Sequence, residues 1–292
     1  MRRHLKGKFF IPYLFLLPQL LLVGLFALYP LLYNLLLSFK EEGMFPQGFV
    51  GLDQYVLILQ DEIFWTALRN TLYYTLGTVP LTVGVSLIAA FGLNQPIRGK
   101  NILRTIYLFP NLISWVVAGL LWQWMYSNNY GILNQVLNWF GLPGLEWLQN
   151  PKLTIPSLVI AGVWHGLGYY MVIFLGGLQS IAPGYYEAAR IDGAGKWAQF
   201  RWVTLPLLKP IIFIVLILTM IHSFKIFDQI YVMTGGGPGR ASLMLVNYIY
   251  SVIVTEMRLS YAAAISMVLF LIIMGLTILQ RQLFPDSDVA GE

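Results

Sequence analysis

Ala182-Pro183-Gly184-Tyr185-Tyr186-Glu187-Ala188-Ala189-Arg190-Ile191-Asp192-Gly193-Ala194-Gly195-Lys196-Trp197-Ala198-Gln199-Phe200-Arg201-Trp202-Val203-Thr204-Leu205-Pro206 is an island of charge between two long apolar stretches. No charged residue lies between Lys152 and Glu187, and the stretch from Pro210 to about Met233 is apolar apart from His222, Lys225 and Asp228. A membrane-spanning helix needs about 20 such residues. The segment therefore reads as a polar connector between two spans.

The same alternation continues outward. Nothing is charged between Lys8 and Lys40, between Arg69 and Arg98, or from Leu259 to Gln280. The interval from Arg104 to Glu146 is too long for one span and breaks at the polar run Ser127-Asn128-Asn129-Tyr130-Gly131. Spans are predicted at 10–38, 69–93, 102–126, 154–181, 208–233 and 260–282. The expected fold is an all-α integral membrane protein of six transmembrane helices. Composition agrees: 58% of the 292 residues are apolar and 11% charged, against about 25% charged in soluble domains. So little charge could not cover a water-exposed surface, so the chain expects a lipid bilayer around it. The absence of cysteine excludes a disulfide framework and thiolate metal sites. The basic start Arg2, Arg3, Lys6, Lys8 could open a signal peptide. Its apolar stretch is about twice the length of a signal core, and no small-x-small cleavage site follows. A retained first helix is expected.

Orientation follows from Lys and Arg, which concentrate in short cytoplasmic segments. With an internal amino terminus, the inner segments hold Arg2, Arg3, Lys6, Lys8, Arg98, Lys100, Arg104, Arg190, Lys196, Arg201, Lys209 and Arg281. The outer ones hold Lys40, Arg69, Lys152, Arg240 and Arg258. Twelve against five places both termini in the cytoplasm. The organisation expected is a basic cytoplasmic segment 1–9, one transmembrane domain 10–282 carrying the loop 182–206, and a cytoplasmic tail 283–292. Topology accounts for the net charge of +5, and no nucleic acid partner is implied.

Pro183 in the quoted loop suits a helix start. Glu187 to Arg190 favour helix, and Gly193 suits a helix end that requires positive φ. A second short helix is expected from about Lys196 to Thr204, with Trp197, Phe200 and Thr204 on one face. Physics alone leaves two readings equally open: a hairpin lying on the membrane surface, or a small-residue face, Ala188 and Ala189, that another protein can approach closely.

The spacing of Glu187, Ala188, Ala189, Asp192, Gly193, Ala194, Leu205 and Pro206 resembles the EAA loop of binding-protein-dependent ABC importer permeases. In that family the loop is the coupling helix that sits in a cleft of the ATPase. The resemblance implies the type I importer permease architecture and a role for Glu187 and Gly193 in transmitting ATP-driven closure. Tyr29-Pro30, Phe49-Val50-Gly51-Leu52-Asp53-Gln54-Tyr55 and Asp228-Gln229-Ile230-Tyr231-Val232-Met233-Thr234-Gly235-Gly236-Gly237-Pro238 are similar to the carbohydrate branch. They look like the first of its two permeases, as in maltose or glycerol 3-phosphate transporters. The resemblance implies a second homologous permease, two cytoplasmic ATP-binding subunits, an extracytoplasmic solute-binding protein and a bacterial cytoplasmic membrane. It implies no cofactor in this chain, ATP and Mg being bound by the partner ATPase.

Ionisable groups at membrane depth are rare and mostly face a bundle interior. The fifth span carries His222, Lys225 and Asp228, with Thr219 and Ser223 beside them. Lys225 and Asp228 would form an i, i+3 ion pair on one helix, which either steadies packing or lines a translocation path. His222 and Ser223 would hydrogen-bond sugar hydroxyls. The fourth span carries Trp164-His165-Gly166-Leu167-Gly168-Tyr169-Tyr170. Its glycines permit close helix contact or a local break, and its rings either stack on sugars or form an interfacial belt. By position in the family, Gly166 and Tyr169 carry over as binding residues. The third span adds Asn111, Ser114 and Trp115, while Trp122, Gln123 and Trp124 read as interfacial anchors.

Other classes fit less well. A membrane enzyme needs convergent carboxylates, a metal constellation or an activated nucleophile, and three His without Cys supply none. An ATPase needs a Gly-x-x-x-x-Gly-Lys-Ser/Thr run, and Arg98-Gly99-Lys100 lacks its flanking glycine. A secondary transporter could use Asp228 and Lys225 as an ion-coupling site, yet no internal repeat is evident. A channel-like facilitator gives the charged loop no use.

Overall fold

The computed structural model describes the backbone of residues 6–43 and 48–283 and the side chains from Phe15 onward within them. Arg2, Arg3 and the tail beyond Leu283 lie outside the described residues. The described chain is helical, with a single isolated bridge between Lys40 and Phe49. It divides into two compact units, one of Met1–Asp61 and Ile249–Leu271, the other of Glu62–Tyr248 and Ile272–Glu292.

The helices of the first unit begin with α1 (Lys6–Val23), which passes through a π-helical turn (Gly24–Leu28) into α2 (Tyr29–Leu37). No residue of the span's most apolar window is buried within the chain. α3 (Asp53–Gln60) follows. The Ser38 and Tyr55 hydroxyls share a hydrogen bond of 2.7 Å. Arg258 grips the Glu42 carboxylate and lies 4.2 Å above the Tyr261 ring, while Tyr261 donates to Asp61 at 2.6 Å. Hydrogen bonding to Glu42 raises the Arg258 pKa above its already high ordinary value.

The second unit holds α4 (Glu62–Leu93), α5 (Lys100–Leu112), α6 (Trp115–Met125), α7 (Ile132–Trp139) and α8 (Pro151–Ser180). These are followed by α9 (Pro183–Ile191), α10 (Lys196–Gln199), a second π-helical turn (Phe200–Thr204), α11 (Leu205–Phe224) and α12 (Asp228–Met233). α13 (Leu245–Val254) and α14 (Leu259–Leu283) contribute residues to both units. α4, α8 and α11 form the frame. One core gathers Ala90, Tyr170, Phe174, Leu208 and Val215 from those three helices. A second gathers Tyr74, Trp122, Tyr126, Leu158 and Ile230.

Among the described residues five helices or helix runs are long and apolar enough to cross a membrane, six if α5 and α6, bent by 99° at their junction, are taken as one broken span. Three departures from the sequence reading bear on the site. The third span is not one helix over 102–126. Ile113 is extended (φ −90°, ψ 145°), and Ser114 starts α6 as its N-cap, an ordinary way to satisfy a free backbone N–H. The fifth span is not one helix over 208–233. α11 ends at Phe224, and Phe227 (φ −132°) breaks the chain before α12. Lys225 and Asp228 are therefore not i, i+3 neighbours on one helix, and no ion pair joins them. Finally, Trp122 is no interfacial anchor: it is 6% exposed and lies in the second core. Gln123 is likewise spent, donating to the Val232 and Met233 carbonyls at 2.9 and 3.0 Å. Trp124 alone of the three is exposed.

Candidate functional site

A cavity of about 610 Å³ opens among α4, the α5–α6 break, α8 and the end of α11. Its size falls within the range of about 300–1,000 Å³ usual for small-molecule sites. Ten of the path residues expected from the sequence line it as follows. Trp115 comes from the first turn of α6, and His165, Gly166, Tyr169 and Tyr170 come from α8. Thr219, His222 and Ser223 come from α11, and Lys225 and Asp228 flank the break after it. Asn111, named with Trp115 in the sequence reading, lines it too and Ser114 does not; the structure adds Tyr74, Thr78, Thr82, Gly162, Ile226 and Phe227.

The local geometry follows from how each element ends or packs. The α5–α6 break frees the Ile113 carbonyl, which accepts from His165 Nε2 at 3.2 Å. The His165 ring then stacks on Trp115, centroids 4.0 Å apart and 22° from parallel. Tyr170 and His222 Nδ1 share a hydrogen bond of 2.7 Å that ties α8 to α11. Tyr74 donates to Gln229 Oε1 at 2.8 Å, and the Gln229 amide donates to the Leu158 carbonyl at 2.7 Å. α8 runs unbroken through Gly166 and Gly168. Neither glycine breaks the helix, and Gly168 serves close contact: a Cβ there would collide with the Tyr107 carbonyl of α5. Lys225 and Asp228 are the charged residues of the lining, one of each sign. The remaining polar groups are hydroxyls, imidazoles, an amide and the Trp115 indole. Such a lining offers directional hydrogen bonds and flat rings.

The charged loop is a second element of interest. α9 begins at Pro183, as its sequence requires. It ends in a Schellman motif: the Ala194 N–H bonds to the Ala189 carbonyl at 2.8 Å and the Gly193 N–H to the Arg190 carbonyl at 3.1 Å. Gly193 sits at φ +78°, a conformation that costs little only without a Cβ. The separate second helix over 196–204 is not formed. α10, the π turn and α11 run continuously from Lys196 to Phe224. The reason is Pro206, which has no N–H and whose ring crowds the carbonyl four residues back. A π turn answers this with an i→i−5 bond, Leu205 N–H to Phe200 O. The added residue also rotates the faces, so Trp197 is 75% exposed while Thr204 is buried. They do not share a face. Glu187, Ala188 and Asp192 are exposed, whereas Ala189, Ala194, Leu205 and Pro206 are half-buried.

Residues 82–287 match the family of binding-protein-dependent transport system inner membrane components. The chain belongs to that family. As such a transport component it has close relatives over nearly its whole length. A probable ABC transporter permease of Pyrococcus horikoshii is 38% identical, covering 89% of this chain and 91% of that one. A lactose transport system permease of Rhizobium radiobacter is 36% identical, covering 92% of each. A trehalose/maltose transport system permease of Thermococcus litoralis is 35% identical over 91% of this chain and 90% of the relative. The fold matches a chain in the crystal structure of a bacterial alginate ABC transporter in complex with alginate pentasaccharide-bound periplasmic protein. The TM-score is 0.85 at 23% identity, with 98% of each chain covered. Membership of this inner membrane component family makes the protein a transport subunit and sets aside the ion-coupled secondary transporter, in which Asp228 and Lys225 would have formed the coupling site.

Proposed function

We propose that this chain is one permease subunit of an ATP-driven importer and carries an uncharged sugar or short oligosaccharide through the cavity. The observation that supports this most is the lining itself. It combines aromatic rings with hydroxyl, imidazole and amide groups, and its two charges cancel. A phosphorylated solute such as glycerol 3-phosphate would want a cluster of cations, and the cavity offers Lys225 alone beside a carboxylate. The lactose and trehalose/maltose permeases among its relatives carry the same class of solute by name.

In this reading the chain pairs with a second, similar permease. One of two ATP-binding subunits docks on the loop containing Glu187 and Gly193 and the other on the corresponding loop of the second permease, and they hold the ATP and Mg. A solute-binding protein delivers substrate from outside the cytoplasmic membrane, and both termini face the cytoplasm. ATP-driven closure moves the loop, and α11, continuous with it from Lys196, carries that movement to Thr219, His222 and Ser223. The chain performs no chemistry; it exposes one site alternately to the two sides because its partners bind two conformations differently.

The test is copurification with the neighbouring permease and ATPase. The wild-type chain retains the ATPase, and Gly193→Pro loses it, because proline cannot adopt φ +78°. A wild-type chain that retains no ATPase would remove the importer reading.

A further inference from the structure

We propose that Thr78 and Thr82 of α4 form a hydroxyl wall of the cavity that reads sugar hydroxyls, making both residues specificity-determining. This rests on the sugar reading given above and adds a helix to the site.

Several helical hydroxyl side chains in this chain satisfy themselves against their own backbone. Thr71 donates to the Ala67 carbonyl at 2.8 Å, Ser157 to Leu153 at 2.9 Å, Thr219 to Val215 at 2.7 Å and Thr277 to Ile273 at 2.8 Å. Thr78 and Thr82 do not, in residues 8% and 2% exposed: the Thr82 hydroxyl is buried with no hydrogen-bond partner, and Thr78 turns only to the Tyr74 hydroxyl one turn away. A buried unpaired hydroxyl is costly, and valine would fill the same volume without that cost. Both residues line the cavity. They lie one turn apart on one helix face, about 6 Å along the axis, and so meet a solute at two points.

Space for them to act is provided across the cavity. A Cβ built on Gly166 would lie 3.7 Å from the Thr82 Cγ2 methyl, so this methyl looks toward a residue with no side chain. A helical threonine divides between two χ1 wells, and turning χ1 exchanges that methyl for the hydroxyl. The Tyr170 and His222 groups already bond each other, whereas Thr82 arrives with an unspent donor and Thr78 with one shared only with Tyr74 of the same lining. Thr75 on the same helix also lacks a partner but lies outside the lining. It separates a cavity effect from a packing effect.

The experiment uses the complete transporter in proteoliposomes, with labelled maltose, trehalose and lactose as probes. On the sugar carried, Thr78→Val and Thr82→Val each reduce uptake efficiency roughly 3- to 10-fold, as expected for one lost hydrogen bond. Thr78→Ser and Thr82→Ser retain it, and Thr75→Val carries sugar as the wild type does. The melting temperature of the purified complex stays level or rises in Thr82→Val, because an unpaired hydroxyl has been removed. Valine variants that carry sugar normally, or that fail together with a falling melting temperature and no serine rescue, overturn the hydroxyl wall alone. A wild type that carries none of the three sugars overturns the sugar reading and the wall with it.

Discussion

The Tyr170 hydroxyl and His222 Nδ1, 2.7 Å apart, join two helices at the surface of the cavity. Tyr170 is 5% exposed, so its ring is packed and its hydroxyl is the part that meets His222. Tyr170→Phe keeps the ring and frees the imidazole. We expect uptake to show a half-saturating concentration raised roughly 2- to 10-fold, for the loss of about 0.5–1.5 kcal/mol, with assembly unaffected. Unchanged uptake kinetics would show that the bond has no part in handling solute. At this scale the sequence was informative where residue type is unusual. Histidines, a lysine and an aspartate inside apolar spans stand out, and all of them line the cavity. Thr78 and Thr82 were missed because threonine is common in helices and mostly bonds its own backbone. A signal was present: Thr71, Thr75, Thr78, Thr82 and Ser86 recur at spacings of three and four and mark one polar face on an otherwise apolar helix.

Elements were legible in number and order, less so in continuity. Proline marks both breaks and unbroken spans here: Pro80 and Pro156 lie inside the long helices α4 and α8, and Pro110 lies inside α5 just before the break. What decides is whether the next residues can cap a new helix, and Ser114 can. Ser114→Ala should destabilise the assembled permease by about 1 kcal/mol, read as a lower melting temperature. Sensitivity should be greater at Gly168, where the obstacle is the backbone carbonyl of Tyr107 and no side chain can turn aside. Gly168→Ala should cost about 1–3 kcal/mol and separate α5 from α8, measured by cross-linking between the two helices; an unaltered cross-link would refute the close-contact role. Lys225 and Asp228 show the limit of periodicity. Spacing alone joined them on a helix that ends at Phe224.

For the whole molecule, charge distribution carries the topological argument, because lipid leaves the backbone few choices once spans are set. A loop containing Glu187 and Gly193 on the inside and the segment 127–150 on the outside is a single arrangement that reporters can check. Alkaline phosphatase, active only outside, should be active when fused after Gly141 and inactive when fused after Ala194. The reverse pattern would invert the orientation and place the charged loop away from any ATPase.

The two π-helical turns, Gly24–Leu28 and Phe200–Thr204, each stand directly before a Tyr-Pro or Leu-Pro pair. In genetic terms each is one codon more than an α-helix needs. Losing a single codon between Phe200 and Thr204 would close the turn to α geometry and swing everything before it about 100° around the helix axis. The charged loop would then point elsewhere while every residue of the EAA pattern survived. Natural variation at this place should therefore tolerate substitutions far more readily than changes of length.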